Sequence, residues 1–285
     1  MNKTSTTLFL NPSSKSKKGQ HNWPCFRQVG FQEVISKSAE DLVTQVAQSS
    51  CETAVAVGGD GTINLVINGL LRSATPKKLG VLYSGTSPDF CRFHGVSIQP
   101  QEALSQLLNG TPHAIDICQI TYANGNACYF ASGCNMGLGA EIARTSNKVR
   151  KYMGDFCGTL LASLKAFACV KPFAATVTLD GQTKTFPQVR HIAVLKNKFI
   201  ASGLYLDVPA KPDDGLLHVV VLPKLTLRGL LNIYKGQIPS GAQVFACKEV
   251  HVHTEPTQYT EFDGDPQPAG DVHIVCLHKR LELIK

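Results

Sequence analysis

One carboxylate set among three closely spaced glycines, in Val57-Gly58-Gly59-Asp60-Gly61-Thr62, is the segment of this sequence best suited to chemistry. Glycines let backbone N–H groups approach an anion with no Cβ in the way. The apolar run Thr53-Ala54-Val55-Ala56-Val57 precedes the turn and Ile63-Asn64-Leu65-Val66 follows it, so the turn joins a buried strand to the start of a helix. The positive end of that helix adds to the attraction for an anion. Thr62 can cap the helix or donate its hydroxyl to a phosphate oxygen. Asp60 stands where a carboxylate can bind a phosphate-bridging Mg²⁺ or take part in proton transfer. No Gly-Lys-Ser/Thr follows, so this is not a Walker A loop, and the glycine spacing is not that of a dinucleotide fingerprint. G-G-D-G is also ordinary turn chemistry. Its place between a buried strand and an apolar helix favours anion binding.

The elements that must hold this turn alternate strand and helix. Leu8-Phe9-Leu10, Thr53 to Val57 and Leu79 to Tyr83 read as strands, and Ala39 to Gln48, Ile63 to Leu71 and Glu102 to Leu108 as helices. Such alternation implies a mostly parallel sheet covered on both faces. After Ile115 the texture changes: Asn124-Gly125 and Asp180-Gly181 are hairpin turns. Further strands are expected at His191 to Leu195, Leu204 to Val208, Leu216 to Leu222, Glu249 to His253 and Val272 to Leu277. Ala140 to Ala168 reads as a helix broken near Gly154, and Thr226 to Tyr234 as a shorter one. The fold class expected is an α/β N-terminal nucleotide domain, residues 1–122, followed by an antiparallel β-sandwich domain with a few helices, residues 123–278.

Composition narrows the function classes. With 43% apolar and 17% charged residues, a packed globular protein is expected. The net charge of +7 suits an anionic partner: nucleotide, membrane surface or nucleic acid. No interleaved basic–aromatic motif supports nucleic acid, so none is expected as a partner. The ten cysteines are scattered without a C-x-x-C and read as reduced core residues of a cytoplasmic protein. No apolar run approaches the roughly 20 residues of a membrane span. His251 and His253 share one strand face and read as solvated rather than metal-binding.

Beyond these features, the whole chain resembles the diacylglycerol kinase catalytic-domain family in its bacterial soluble lipid-kinase form. Asn11-Pro12-x-Ser14 resembles the motif N-P-x-S-G, Gly58 to Thr62 matches G-G-D-G-T, and Ser84 to Phe90 resembles P-x-G-T-x-N-D-F. Ile115-Asp116, Asn135 to Gly139, Asp213 to Leu217 and Phe262 to Asp265 resemble, in order, an I-D pair, a glycine-rich turn, D-D-G-x-L and the late D-G-E. The resemblance implies two domains with a cleft between them and a C-terminal tail, residues 279–285, that returns to the first domain. It implies transfer of the γ-phosphate of ATP to a lipid hydroxyl. It places Asn11, Gly58, Gly59, Gly61, Thr62 and Thr86 on nucleotide and Asp60 and Asp89 in a Mg²⁺–phosphate network. It gives Asp214, with the backbone carbonyls of Lys211 and Leu216, a structural Mg²⁺.

Three departures qualify the resemblance. Asp265 stands where relatives carry the Glu proposed as base, and Asp263 can share the role. Pro88 replaces an Asn, and the prompt glycine of N-P-x-S-G is missing after Ser14. The expected partners are ATP and a lipid met peripherally at a membrane surface, with a homodimer left open. NAD kinases and phosphofructokinases also carry a G-G-D-G loop, so a soluble-substrate kinase is an alternative. A catalytically impaired nucleotide- or lipid-binding regulator is another.

Overall fold

The computed structural model describes residues 5–12, 26, 29–153, 155–201, 204–262 and 265–285. The chain forms two compact units, one of Met1–Ile117, Tyr129–Ala131 and His278–Lys285, the other of Cys118–Cys128 and Ser132–Leu277.

In the first unit, in chain order, come β1 (Thr6–Leu10), β2 (Gln32–Ile35), α1 (Ala39–Gln48), β3 (Thr53–Gly58), α2 (Asp60–Arg72), β4 (Lys78–Tyr83), α3 (Asp89–His94), α4 (Pro100–Asn109) and the first part of β5 (Pro112–Tyr122). The strands are ordered β2-β1-β3-β4, and all pair in parallel. The strands alternate their side chains between two apolar layers, as a sheet covered on both faces requires. Phe9, Ala54, Ala56, Leu79 and Val81 pack with Leu42 and Val46 of α1, Ile63, Val66 and Ile67 of α2, and Phe90 of α3. Leu8, Leu10, Val55, Val57 and Leu82 pack on the other side with Ala103 and Leu107 of α4.

In the second unit are β6 (Ala127–Phe130, in part), β7 (Gly133–Gly137), α5 (Leu138–Met153), α6 (Asp155–Cys169), β8 (Phe173–Leu179), β9 (Gln182–Val189), β10 (His191–Leu195), β11 (Phe199–Ala201), β12 (Leu204–Tyr205) and β13 (Leu217–Leu222). They are followed by α7 (Leu227–Tyr234), β14 (Gln243–Cys247), β15 (Glu249–Glu255), β16 (Tyr259–Phe262), β17 (Asp265–Pro268) and β18 (Asp271–Ile284). One antiparallel sheet runs β14-β13-β10-β7-β16-β17. In another, β15 lies between β8 and the start of β18, also antiparallel. α5, α6 and α7 share an apolar cluster of Leu138, Ala166, Leu225 and Leu230.

β18 serves both units. Its residues Asp271 to Val275 pair with β15, while Glu282 and Leu283 pair in parallel with Lys78 and Leu79 of β4. Between them Lys279 has φ +49°, a left-handed conformation that a non-glycine residue holds only when its surroundings fix it. The fully buried Asp116 does so, accepting the Lys279 backbone N–H at 2.8 Å and lying 3.0 Å from His278 Nδ1.

Several elements differ from the sequence expectation. The expected strand at Val272 to Leu277 runs on to Ile284, because the bend at Lys279 is held from outside the strand. The expected strand at Leu204 to Val208 pairs only over Leu204–Tyr205, and Leu206 and Val208 instead fill an apolar cluster beside Leu195 and Val220. The helical stretch expected from Ala140 to Ala168 forms α5 and α6, with Gly154 between them outside the described residues. Ser14 of the Asn11-Pro12-x-Ser14 motif also lies outside them.

Candidate functional site

The residues expected on nucleotide gather at one edge of the first unit. β1, β3 and β4 are parallel and in register, with Leu10 opposite Val57 and Gly58 opposite Tyr83. The residues that follow each strand, Asn11, Gly59 to Thr62 and Ser84 to Asp89, therefore leave the sheet at the same carboxyl edge, the side on which open α/β sheets bind ligands.

Close approach explains Gly58 and Gly85. A Cβ on Gly85 would stand 2.4 Å from the Cα of Gly59. A Cβ on Gly58 would stand 2.4 Å from Thr62 Oγ1. Gly61 has nothing within 4 Å of its missing Cβ, so its side faces open space. Thr62 is buried at 3% exposure in the first turn of α2, whose N-cap is Gly59 and not Thr62. Thr86 is exposed on the turn between β4 and α3.

Asp60 opens α2, where its charge meets the positive helix end. Its Oδ2 also accepts the backbone N–H groups of Asp89 at 3.1 Å and Phe90 at 3.5 Å, the first two of α3. The N-cap of α3 is Pro88, which has no side-chain acceptor, so Asp60 caps the helix in its place. Asp60 Oδ1 is buried with no hydrogen-bond partner among the described residues. The Asp89 carboxylate, 6% exposed, takes the Ser87 hydroxyl at 3.1 Å. Burial first, and the Asp89 charge second, push Asp60 up to about 7, against the two backbone donors and Arg92, which pull it down. Burial and the Asp60 charge likewise push the Tyr83 phenol and the Cys91 thiol up. A buried oxygen without a partner beside a second carboxylate fits a hard divalent cation, which would satisfy both. These donors suit Mg²⁺.

The second expected cation site differs. Asp214 Oδ1 is 2.6 Å from Lys196 Nζ, and the same ammonium donates to the Leu216 carbonyl at 3.1 Å. Two of the three groups expected on a structural Mg²⁺ are thus taken by a lysine, and Lys211, the third, is exposed on the same loop. A dication would need the same oxygens at about 2.0–2.1 Å, against a fixed positive charge. The donor set does not fit Mg²⁺.

Asp263 and Gly264 lie outside the described residues; Asp265 begins β17 opposite Phe262, and its side chain is likewise not described. Beside them, Glu261 is 7% exposed and accepts from Asn135 Nδ2 at 2.9 Å across the β16–β7 ladder. Neither Lys196 nor Glu261 is among the residues singled out from the sequence above. Lys196 was detectable as a charge directly after the apolar run Ile192 to Leu195; Glu261 had no signal beyond its nearness to Asp263.

Residues 5–120 match the family model described as the diacylglycerol kinase catalytic domain. Residues 132–285 match the YegS C-terminal NAD kinase beta sandwich-like domain. A Shewanella frigidimarina protein named "Probable lipid kinase YegS-like" is 30% identical over 85% of this chain and 79% of its own length. A Stenotrophomonas maltophilia protein of the same name is 26% identical over 86% of this chain and 82% of its own. The crystal structure of a diacylglycerol kinase from Bacillus anthracis superposes with a TM-score of 0.72 at 18% identity, covering 98% of this chain and 96% of that one. Yeast NADH kinase complexed with NADH superposes with a TM-score of 0.52 at 12% identity, over 99% and 83%. The last two likenesses show the fold.

Proposed function

Since the chain belongs to the family that joins a diacylglycerol kinase catalytic domain to a YegS-type C-terminal domain, we propose that it transfers the γ-phosphoryl group of ATP to a hydroxyl of a lipid. One observation carries the reading: the half-buried Asp60 carboxylate, held by one oxygen and unpartnered at the other, at the start of a helix behind a glycine turn. Phosphoryl transfer needs positioning and charge neutralisation more than covalent chemistry; the glycine turn and helix start support the first, and a cation on Asp60 and Asp89 would supply the second.

In this reading the backbone of Gly58 to Gly61, with Asn11, Thr62 and Thr86, takes the nucleotide. Asp60 and Asp89 would hold Mg²⁺, whose charge would offset that of the phosphates. Asp265, assisted by Asp263, accepts the proton of the lipid hydroxyl. The lipid is met from the water side. No described helix is long and apolar enough to cross a membrane. An exposed stripe of α6 carries Leu161 and Leu164, 44% and 43% exposed, with Lys165 at helical spacing. Apolar side chains beside a cation suit the surface of an anionic leaflet.

Label transfer from ATP to a native lipid extract, run against NAD and fructose 6-phosphate as acceptors, tests the proposal. A labelled lipid is the expected product. Label only in the soluble acceptors would favour the NAD kinase type of reaction, and tight nucleotide binding without any product would favour a regulator.

A further inference from the structure

We infer that the Lys196 ammonium is the built-in cation of the Asp214 loop, so that the second unit holds this loop without a divalent metal. The inference starts from strand register. β10 and β13 are antiparallel with Leu195 opposite His218, which carries Lys196 past the end of β10 to the point where the chain enters β13. Its backbone cannot drift from there: the N–H groups of Lys196 and Asn197 both donate to the Ser132 carbonyl at 2.9 Å. Asn197, fully buried, accepts the Phe199 N–H at 2.8 Å and closes the turn.

The side chain carries its charge to the Asp214 loop. Lys196 is 1% exposed and is among the largest fully buried side chains of the molecule. A buried ammonium needs a counter-charge and hydrogen-bond acceptors. Asp214 Oδ1 provides the first at 2.6 Å and the Leu216 carbonyl a further acceptor at 3.1 Å. Asp214 Oδ1 also accepts the Leu216 backbone N–H at 3.1 Å, so one carboxylate oxygen ties the lysine and the loop backbone together. A carboxylate and a carbonyl converging on one point are hard oxygen donors that suit Mg²⁺ or Ca²⁺. Here the converging charge is a covalent part of the chain, on the residue that follows β10. Its presence does not depend on the concentration of any ion, and it repels a dication from the same oxygens.

The test uses the full chain without nucleotide, with Mg²⁺ and Mn²⁺ as probes. In the wild type, Mn²⁺ is expected to leave the amide NMR signals of Asp214 to Leu217 at full intensity. Mg²⁺ and a chelator should produce no melting shift that depends on Asp214. Broadening of those signals, or a Mg²⁺-induced rise in Tm, that disappears in Asp214→Asn overturns the inference. In Lys196→Met the oxygens lose their cation: Tm is expected to fall, Mg²⁺ to restore part of it, and Mn²⁺ to broaden the same signals. A folded Lys196→Met protein indifferent to both ions also overturns it. If Lys196→Met does not fold, the wild-type Mn²⁺ measurement decides alone.

Discussion

Asp60 Oδ2 accepts the backbone N–H of Asp89 at 3.1 Å. The carboxylate of the glycine turn thereby caps a helix that begins 29 residues later, and its own position is fixed in return. Pro88 makes this necessary. At the N-cap of α3 it offers no side-chain oxygen, so a residue from another turn supplies one. One oxygen of Asp60 is structural; the other has no hydrogen-bond partner among the described residues.

Asp60→Asn should separate these roles. An amide keeps an oxygen for the N–H groups of α3 but replaces the unpartnered oxygen with a donor. We expect the melting temperature to be retained and turnover to fall roughly 10²–10⁴-fold. Asp60→Ala should in addition lose about 1 kcal/mol with the cap. Kinase assays and thermal melts on both variants check this; undiminished turnover in Asp60→Asn would remove Asp60 from the mechanism.

The same carboxylate should make nucleotide-free stability depend on pH. Asp60 is raised from 3.8 to about 7 in the fold, so the folded state holds its proton more tightly than the unfolded chain. That contribution is fully present below the unfolded value and is lost as pH rises toward 7. Denaturant titrations should show wild type losing stability relative to Asp60→Asn across this window, by no more than about 1.4 kcal/mol per pH unit. Mg²⁺–ATP binding near neutral pH should release a proton, measurable by calorimetry in buffers of different ionisation enthalpy.

Gly61 and Gly85 should respond to alanine differently. Gly61 faces open space inside a helix, so Gly61→Ala should raise stability by about 0.5–1 kcal/mol. If phosphate approaches the backbone there, the same variant should raise the KM for ATP. Gly85→Ala places a Cβ 2.4 Å from Gly59 and should lower both stability and nucleotide affinity. A Gly61→Ala protein with unaltered KM would place the phosphates elsewhere.

Asp265→Asn should cut turnover roughly 10²–10⁴-fold while leaving nucleotide affinity in place, as removal of a general base does. Asp265→Glu should retain activity, and Asp263→Asn reports how far the two share the role. If only Asp263→Asn is inactive, the base is Asp263.

Much of the first unit was legible because its signals are local. Thr53 to Val57 is apolar and β-forming, three glycines follow, and the helix after them shows its apolar face within one turn. α3 was not legible: Asp89–His94 is short and its cap comes from a distant residue, which no window along the chain contains. β2 escaped for another reason, since its edge position leaves Gln32 and Ile35 exposed and blurs the alternation. At Asp214 the D-D-G turn was visible and its partner was not. Lys196 is burial of a charge by tertiary structure, decided by the β10–β13 register rather than by any neighbour in sequence.

The division of β18 bears on the order in which the protein can be made. Leu281 and Leu283 belong to the core of the first unit, and Leu283 pairs with Leu79 on the flank of β4. A ribosome that has released residues 1–122 has therefore not yet supplied the strand that closes this sheet. Until it does, β4 presents an open, apolar edge, the kind on which nascent chains aggregate. The strand that pairs with β4 follows the second unit along the chain, so assembly of the α/β unit waits on synthesis of that unit.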